Sequence, residues 1–361
     1  MATVSLSAFS AALSLIFMSR TTEQFRTDVV LPNLLAVKQG RNATCVWNAK
    51  FSGRSAGGAY SEGADMADAD YDAHTRAKAS LNWAQYRKGA KVSGLAQAVA
   101  AASNGSGAGD LNDILLEEVI DATHDLTVEV SSDLYGGDPS ASPTELAGAA
   151  IAIDGTAGTF AGLASATYSD WLASEQTLAT SQLSQEKLRT LLHRPVKDAT
   201  GRDPDFVTCP GALFDKVRGL ADENKDTTVM VRGANGMVDI YAAMGVRAVT
   251  IDGVPYIEDR HCTANTFYAW SARDVEIRQI PAANSRVSPN EVRQAFLALT
   301  GTEVPLSDIE AGLRQLHGEG GRLVPYVQLL ASTGDAMKVM VKVYLQLAWK
   351  RRNSFAKLTL I

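Results

Sequence analysis

Leu111, Leu115, Val119, Ala122, Leu126 and Val130 recur at spacings of four, four, three, four and four residues, which keeps one apolar stripe along a single helical face. The spacing predicts a helix over 110–134, capped by Asp110, with Asp113 adding favourable charge to its first turn. Tyr135-Gly136-Gly137-Asp138-Pro139 is the expected stop, through a left-handed glycine cap and a proline that cannot continue the helix. At 1.5 Å per residue the helix runs roughly 35 Å, longer than a usual globular helix. A helix of that length is a spine, and the short apolar segments elsewhere must cover its stripe. His124, Thr127 and Ser131 fall on its other faces, and Thr127 is expected to tolerate truncation.

The 361 residues are 46% apolar with a net charge of −6, enough for two or three modest cores. Mild acidity argues against a generic nucleic-acid binder, which needs a local excess of Lys and Arg. Cys45, Cys209 and Cys262 are too scattered for a disulfide framework and fit a reducing compartment. The opening MATVSLSAFSAALSLIF is as apolar as a signal peptide, but it lacks a basic start, and SRTTEQF follows in place of a cleavage site. It reads as an N-terminal arm, part helix through Phe9, Leu13 and Phe17, that packs on something larger. No later run is long enough to span a bilayer, so no membrane partner is expected.

After a short anchoring element around Val29–Val37, residues 44–51 form a strand that runs into glycine-rich sequence and an acidic patch, Glu62, Asp65, Asp68, Asp70 and Asp72. The segment 73–91 returns to a second strand. This long hairpin has too few apolar residues for a core of its own, and makes sense if another subunit supplies contacts. Residues 143–152 are apolar, 183–192 read as an amphipathic helix, 205–209 as a buried strand, and Pro210 opens a helix through Leu213, Phe214, Val217 and Leu220. Asp252-Gly253 between two apolar runs specifies a hairpin, and 267–270 and 275–280 add strands. Two capping boxes, from Ser288 and from Ser307, start a two-helix insertion over 288–318. Val339 to Leu347 alternates as a strand, broken by Lys350-Arg351-Arg352-Asn353 before Phe355–Leu360. The fold class is mixed α+β.

No catalytic, cofactor or metal constellation emerges. Gly155–Gly162 lacks the Gly-Lys-Ser/Thr of a phosphate loop and reads as a structural turn. Glu117, Asp121 and His124 have the spacing of a bundle metal site, but no second such helix exists, so they read as a solvated face. Asp68, Asp70 and Asp72 imitate the start of a calcium loop, yet Ala73 and Ala79 stand where Gly and Glu are required. His261 and Cys262, adjacent on an expected strand, face opposite sides. Asn42-Ala43-Thr44 and Asn104-Gly105-Ser106 are glycosylation sequons by pattern, and matter only if the chain is secreted. An enzyme reading survives only as a site assembled from distant residues such as His193, Asp205 and Cys262.

The order of parts resembles the tailed-bacteriophage major capsid protein family, with its Hong Kong 97-type shell fold. The resemblance is carried by the extended loop 45–90, the spine 110–134, GTFAGL at 158–163, IDGVPYIEDR at 251–260, FYAW at 267–270 and YLQLAWKRRNSFAKLTL at 344–360. It implies an arm over 1–40, an extended hairpin loop with its base over 41–92, and a peripheral domain over 93–154 carrying the spine. It further implies an axial domain over 155–335 that includes the insertion 288–318, and a return strand of the peripheral domain over 336–361. The implied function is a structural protein that self-assembles through hexamers and pentamers into an icosahedral virion shell in the host cytoplasm. Implied partners are double-stranded DNA held without sequence specificity, a separate scaffolding protein or none, and portal and decoration proteins; no cofactor is implied. An encapsulin-like cellular compartment shares the fold and is the alternative. Some relatives cross-link, and Lys50 and Asn353 have suitable chemistry with no acid identified to catalyse it. The acidic patch of one subunit is expected to meet Lys350, Arg351 and Arg352 of another.

Overall fold

The computed structural model describes residues 6–28, 30–51, 76–94, 108–223, 247–280, 288–300, 302–316, 323–330 and 336–361. In chain order these are α1 (Leu6–Asp28), α2 (Leu31–Leu34), β1 (Ala36–Gln39), β2 (Cys45–Lys50), β3 (Arg76–Leu81), β4 (Ala84–Ser93), α3 (Ala108–Gly136) and α4 (Ala149–Ala152). There follow β5 (Thr159–Phe160), β6 (Leu163–Ala164), β7 (Ser174–Leu178), a helix α5 built from Gln185–Leu188, Arg189–His193 and Arg194–Thr200, β8 (Phe206–Cys209) and α6 (Gly211–Glu223). Strands β9 (Ala248–Ile251), β10 (Val254–Glu258), β11 (Thr266–Trp270) and β12 (Val275–Ile280) precede helices α7 (Pro289–Thr300) and α8 (Leu306–Leu316). The last three strands are β13 (Tyr326–Leu330), β14 (Ala336–Trp349) and β15 (Ala356–Leu360).

The spine α3 is 29 residues long and starts before Asp110, which therefore lies inside the helix and does not cap it. Its end differs from expectation too. Neither Gly136 nor Gly137 takes the left-handed conformation. Gly137 is needed for close approach: a Cβ there would meet Leu146 O at 2.4 Å, and one on Gly148 would meet Asp133 O at 2.6 Å. The two glycines let the returning chain hydrogen-bond onto the helix end, Gly148 N to Gly137 O at 3.0 Å.

Val119, Ala122, Leu126 and Val130 are buried as the spacing requires, while the side chains of Leu111 and Leu115 lie outside those described. The buried arc is wider than the apolar stripe. Thr123, Thr127 and Ser131 are also buried, each hydroxyl bonding the carbonyl four residues back at 2.5–2.7 Å. The expectation that Thr127 faces away is corrected. A hydroxyl that can return its hydrogen bond to its own helix is as buriable as a small apolar group.

The spine packs on a five-stranded sheet centred on β14. Along one edge β14 pairs with β4 over Ala336–Leu345; along the other, β13 takes its first half and β12 its second. β1 adds in parallel beyond β12. Because β13 and β12 meet end to end, the join needs a bridge. The Gln279 amide supplies it, donating to Val324 O and accepting from Val324 N.

The second sheet has six strands in the order β7-β15-β11-β8-β10-β9. Asp252 and Gly253, at φ 53° and 81°, make the β9–β10 turn that the sequence specifies. The expected helix 183–192 extends to Thr200 through a π turn at Arg189–His193. Pro195 explains the turn, since it cannot donate to Leu191 O and its ring crowds that carbonyl. The grouping of 336–361 into one return element is corrected: β14 joins the spine sheet and β15 the six-stranded sheet. Strands β12 and β13, inside the expected axial segment 155–335, likewise belong to the spine sheet.

The arm proves to be a helix packed on its own chain. Ala8, Ala11, Ala12 and Ser14 of α1 are buried against α7, α8 and β13, so the two-helix insertion is the arm's seat. Ser14 Oγ accepts Val327 N at 3.0 Å and Ser10 Oγ accepts Leu329 N at 3.1 Å, satisfying backbone groups on the free edge of β13.

Truncation of the spine tests this packing. Leu126→Ala should cost about 2–4 kcal/mol, and Thr127→Ala roughly 1–2 kcal/mol rather than nothing. Both are read by urea unfolding; a silent Thr127→Ala places that residue outside the core.

Candidate assembly interface

The base of the hairpin, β2 and β3, is fixed firmly by its own chain. β2 and β3 pair antiparallel from Cys45↔Leu81 to Lys50↔Arg76. Alternation puts Cys45, Trp47, Ala49 and Phe51 inward and buries them. Trp47 Nε1 donates to Trp349 O at 2.6 Å, and Phe51 stacks on Tyr168 with centroids 4.3 Å apart. Burial pushes the Cys45 thiol up to about 12, which makes it a protonated packing group. The expectation that contacts for the hairpin come from elsewhere does not hold for its base. It concerns the residues between, 52–75, which lie outside those described, together with Glu62, Asp65, Asp68, Asp70 and Asp72.

A buried carboxylate joins that base to the spine sheet. Glu276 on β12 is 1% exposed; its Oε1 lies 2.6 Å from Arg278, and its Oε2 lies 2.9 Å from Lys38 and 2.7 Å from Lys350. Arg278 Nη1 in turn donates to Val46 O on β2 at 2.5 Å. Burial drives the Glu276 carboxyl upward, but the hydrogen bonds from Lys350, Lys38 and Arg278 outweigh it and hold the group at about 2. Lys38, Arg41, Asn42, Trp83, Glu276 and Arg278 border a cleft of about 250 Å³ at this point.

Of the basic run after β14, Lys350 and Arg352 are engaged within the chain, and Arg351 is only half-buried. Lys350 is held by Glu276. Arg351 is half-buried, with Nε donating to Asn353 Oδ1 at 3.1 Å. Arg352 is 3% exposed, its guanidinium 4.7 Å from the Phe160 ring centroid and 5.8 Å from that of Trp171. It donates to Ala152 O at 2.6 Å and to Trp171 O at 2.9 Å, and burial pulls it down to about 10. A guanidinium fits here because its flat fork serves several carbonyls while its faces stack on rings. Nothing in a single sequence separates such a side chain from a surface arginine in a KRR run. The side chain of Lys50 is outside those described.

The residues weighed for chemistry do not converge. Buried His193 has Nε2 2.8 Å from Tyr256 Oη, Asp205 Oδ2 accepts Ala272 N at 2.8 Å, and Cys262 Sγ lies 3.6 Å from Thr266 O. Burial lowers the His193 imidazole and raises the Cys262 thiol, keeping both neutral. His261 and Cys262 sit in a turn, not on a strand. Glu117, Asp121 and His124 are exposed on the spine, and among the described residues no group of three His, Cys, Asp or Glu is placed to hold a metal. No described helix is long and apolar enough to cross a membrane.

No family model and no curated protein sequence matches this chain. Solved structures do. The Cyanophage A-1(L) capsid asymmetric unit is 18% identical with a TM-score of 0.63, covering 91% of each chain. The capsid of a native GTA particle is 9% identical with a TM-score of 0.52, covering 93% of this chain and 90% of that one. A holo encapsulin complex from Synechococcus elongatus PCC 7942 is 10% identical with a TM-score of 0.51, over 91% and 86%. The chain therefore has the α+β shell fold of the tailed-phage capsid type, and the likeness extends over nearly its whole length.

Two substitutions probe the interface base. Glu276 has a folded value below its ordinary one, so its stabilisation is present above about pH 4.5 and is lost as pH falls towards 2. Glu276→Gln should remove on the order of 2 kcal/mol at neutral pH and flatten the acid limb of the stability curve; an unchanged limb would show that the carboxylate is not the group lost. Arg352→Ala leaves buried carbonyls unpaired and should cost about 2–5 kcal/mol, with Arg352→Lys recovering only part of it in the same unfolding assay.

Proposed function

We propose that this chain is a major capsid protein, a structural and non-enzymatic subunit that assembles into the icosahedral shell around the double-stranded DNA of a tailed phage. The observation that carries this is the likeness to the cyanophage capsid subunit over 91% of both chains. A hairpin with a firmly anchored base and a polar, glycine-rich sequence between its strands suits a subunit that completes its contacts in an assembly. In this reading the span 52–75 lies on a neighbouring subunit. The spine and the five-stranded sheet form the peripheral domain, and the six-stranded sheet forms the axial domain around the five-fold and six-fold positions. Hexamers and pentamers, DNA held without sequence specificity, and a virion location with assembly in the host cytoplasm belong to the same proposal. Scaffolding, portal and decoration proteins are its further partners.

The encapsulin likeness, at a TM-score of 0.51, supports a second reading as a cellular compartment shell. The higher score and identity of the cyanophage subunit favour the first. Negative-stain microscopy and sizing of the purified chain test the shared claim, with closed particles of megadalton mass expected. A chain that stays monomeric at high concentration counts against both readings. Nucleic-acid content of particles isolated from their native source separates them: packaged genomic DNA supports the phage reading, and a protein cargo without DNA supports the compartment.

A further inference from the structure

On β4, β14 and β13, the sheet face turned away from the spine carries charge of one sign; the carboxylate of Glu276 on β12 shares that face farther along the sheet, already held by Lys38, Arg278 and Lys350. Register places Arg87 directly opposite Lys342 and Lys91 directly opposite Lys338. No acidic residue shares this face on β4, β14 or β13. Like charges directly opposed across a ladder destabilise it, so a sheet that only closed its own core would gain nothing from two such pairs. Arg87 and Lys91 are exposed and Lys338 half-exposed, and none of the three has an ion-pair partner among the described residues. Lys342 is supported without an acid: Nζ donates to Gln328 Oε1 at 2.7 Å and lies 5.4 Å and 5.7 Å from the Tyr326 and Tyr344 ring centroids.

This is a local inversion of the protein's charge. The chain carries −6, and the spine behind the same sheet has eight carboxylates and no Lys or Arg. A patch of four cations sustained against that background calls for a partner of opposite sign. Arg87 to Lys91 and Lys338 to Lys342 each span four residues, about 13 Å along an extended strand. Asp68, Asp70 and Asp72 recur at every second position with no base among them. An extended segment bearing them presents three carboxylates on one side over the same four-residue span.

We propose that the face formed by Arg87, Lys91, Lys338 and Lys342 receives the Asp68–Asp72 run of a second copy of this chain. The proposal rests on the assembly reading above and names the surface that takes the hairpin. It takes the place of the Lys350–Arg352 run, of which Lys350 and Arg352 are engaged within their own chain. A nucleic acid is the weaker occupant, because duplex binders engage about six to ten phosphates and this patch offers four cations matched by one short acidic run.

The test uses the full chain. Arg87→Glu with Lys91→Glu, both at exposed positions, should keep the wild-type unfolding midpoint and reduce the yield of particles by roughly tenfold or more, since each inverted exposed pair is worth up to several-fold. Adding Asp68→Lys and Asp70→Lys should restore most of the yield. If the reversed variant unfolds early, Arg87→Gln with Lys91→Gln takes its place. Fluorescence anisotropy of a labelled peptide spanning residues 62–72 on unassembled chain gives a readout independent of particles. Binding to wild type should weaken with added salt and vanish in the β4 variant. Normal particle yield from a folded β4 variant overturns the proposal, as does failure of the peptide to distinguish it from wild type. Duplex DNA bound by wild type and lost in the variant, with the peptide ignored, assigns the face to nucleic acid and overturns it too. A wild-type chain that forms no particles sinks the assembly reading instead, and the peptide measurement then decides this proposal alone.

Discussion

The turn between β14 and β15 is where the two sheets are tied, and the buried guanidinium of Arg352 fixes that turn. Its nitrogens reach the carbonyls of Ala152, Asp154 and Trp171, and its faces lie on Phe160 and Trp171. On one side of it Trp349 ends the spine sheet; on the other Phe355 leads into the six-stranded sheet, their rings 4.9 Å apart and edge-on. Trp270 stacks on Trp349 at 5.7 Å and Phe206 on Trp270 at 6.0 Å, so aromatic packing continues into the second sheet. Where the chain crosses between the sheets, Arg352 thus supplies donors to three carbonyls of the segments packed beside the crossing.

The same economy governs sheet edges and ends. β13 is closed by serines of α1, and the junction of β13 with β12 by Gln279. Gln346, fully buried in β14, accepts from Ala147 N and donates to Asn82 O, tying the loop before α4 to the loop before β4. Polar side chains placed at the breaks in the backbone ladders let a mixed sheet end without an open, sticky edge. An exception is the indole nitrogen of Trp349, buried without a partner. Its ring is stacked on Trp270 and meets Phe355 edge-on.

What the sequence disclosed and what it hid separate along a physical line. Features with a local cause were legible: the period of Val119 to Val130, the Asp252-Gly253 turn, the helix pair over 288–318, the alternation of β14; Ser307, expected to cap the second of those helices, lies inside it, because the helix starts at Leu306. Features set by tertiary partners were not. Thr127 looked solvent-facing because its hydroxyl is polar, yet the helix itself satisfies that hydroxyl. Arg352 looked like the end of a surface run because burial of a guanidinium depends on carbonyls about two hundred residues away. The arm was legible as a helix, but not its seat on α7 and α8. Of the hairpin, the strands of its base could be read directly. The basic face could not, because Arg87 and Lys342 become neighbours only through strand pairing.

That pairing reaches far along the chain. The central strand of the spine sheet is 336–349, its partner β4 is 84–93, and the Ser14 hydroxyl that closes the sheet edge meets a residue 313 positions later. Ribosomal synthesis runs from the N-terminus, so the sheet has no middle, and the basic face has only half its cations, until β14 has been made. Such non-local closure is slow compared with helix formation. If that face receives a second copy as proposed above, the benefit is one of timing: an unfinished chain lacks half of the receiving face, so a nascent subunit on one ribosome is not captured by its neighbours before it has folded.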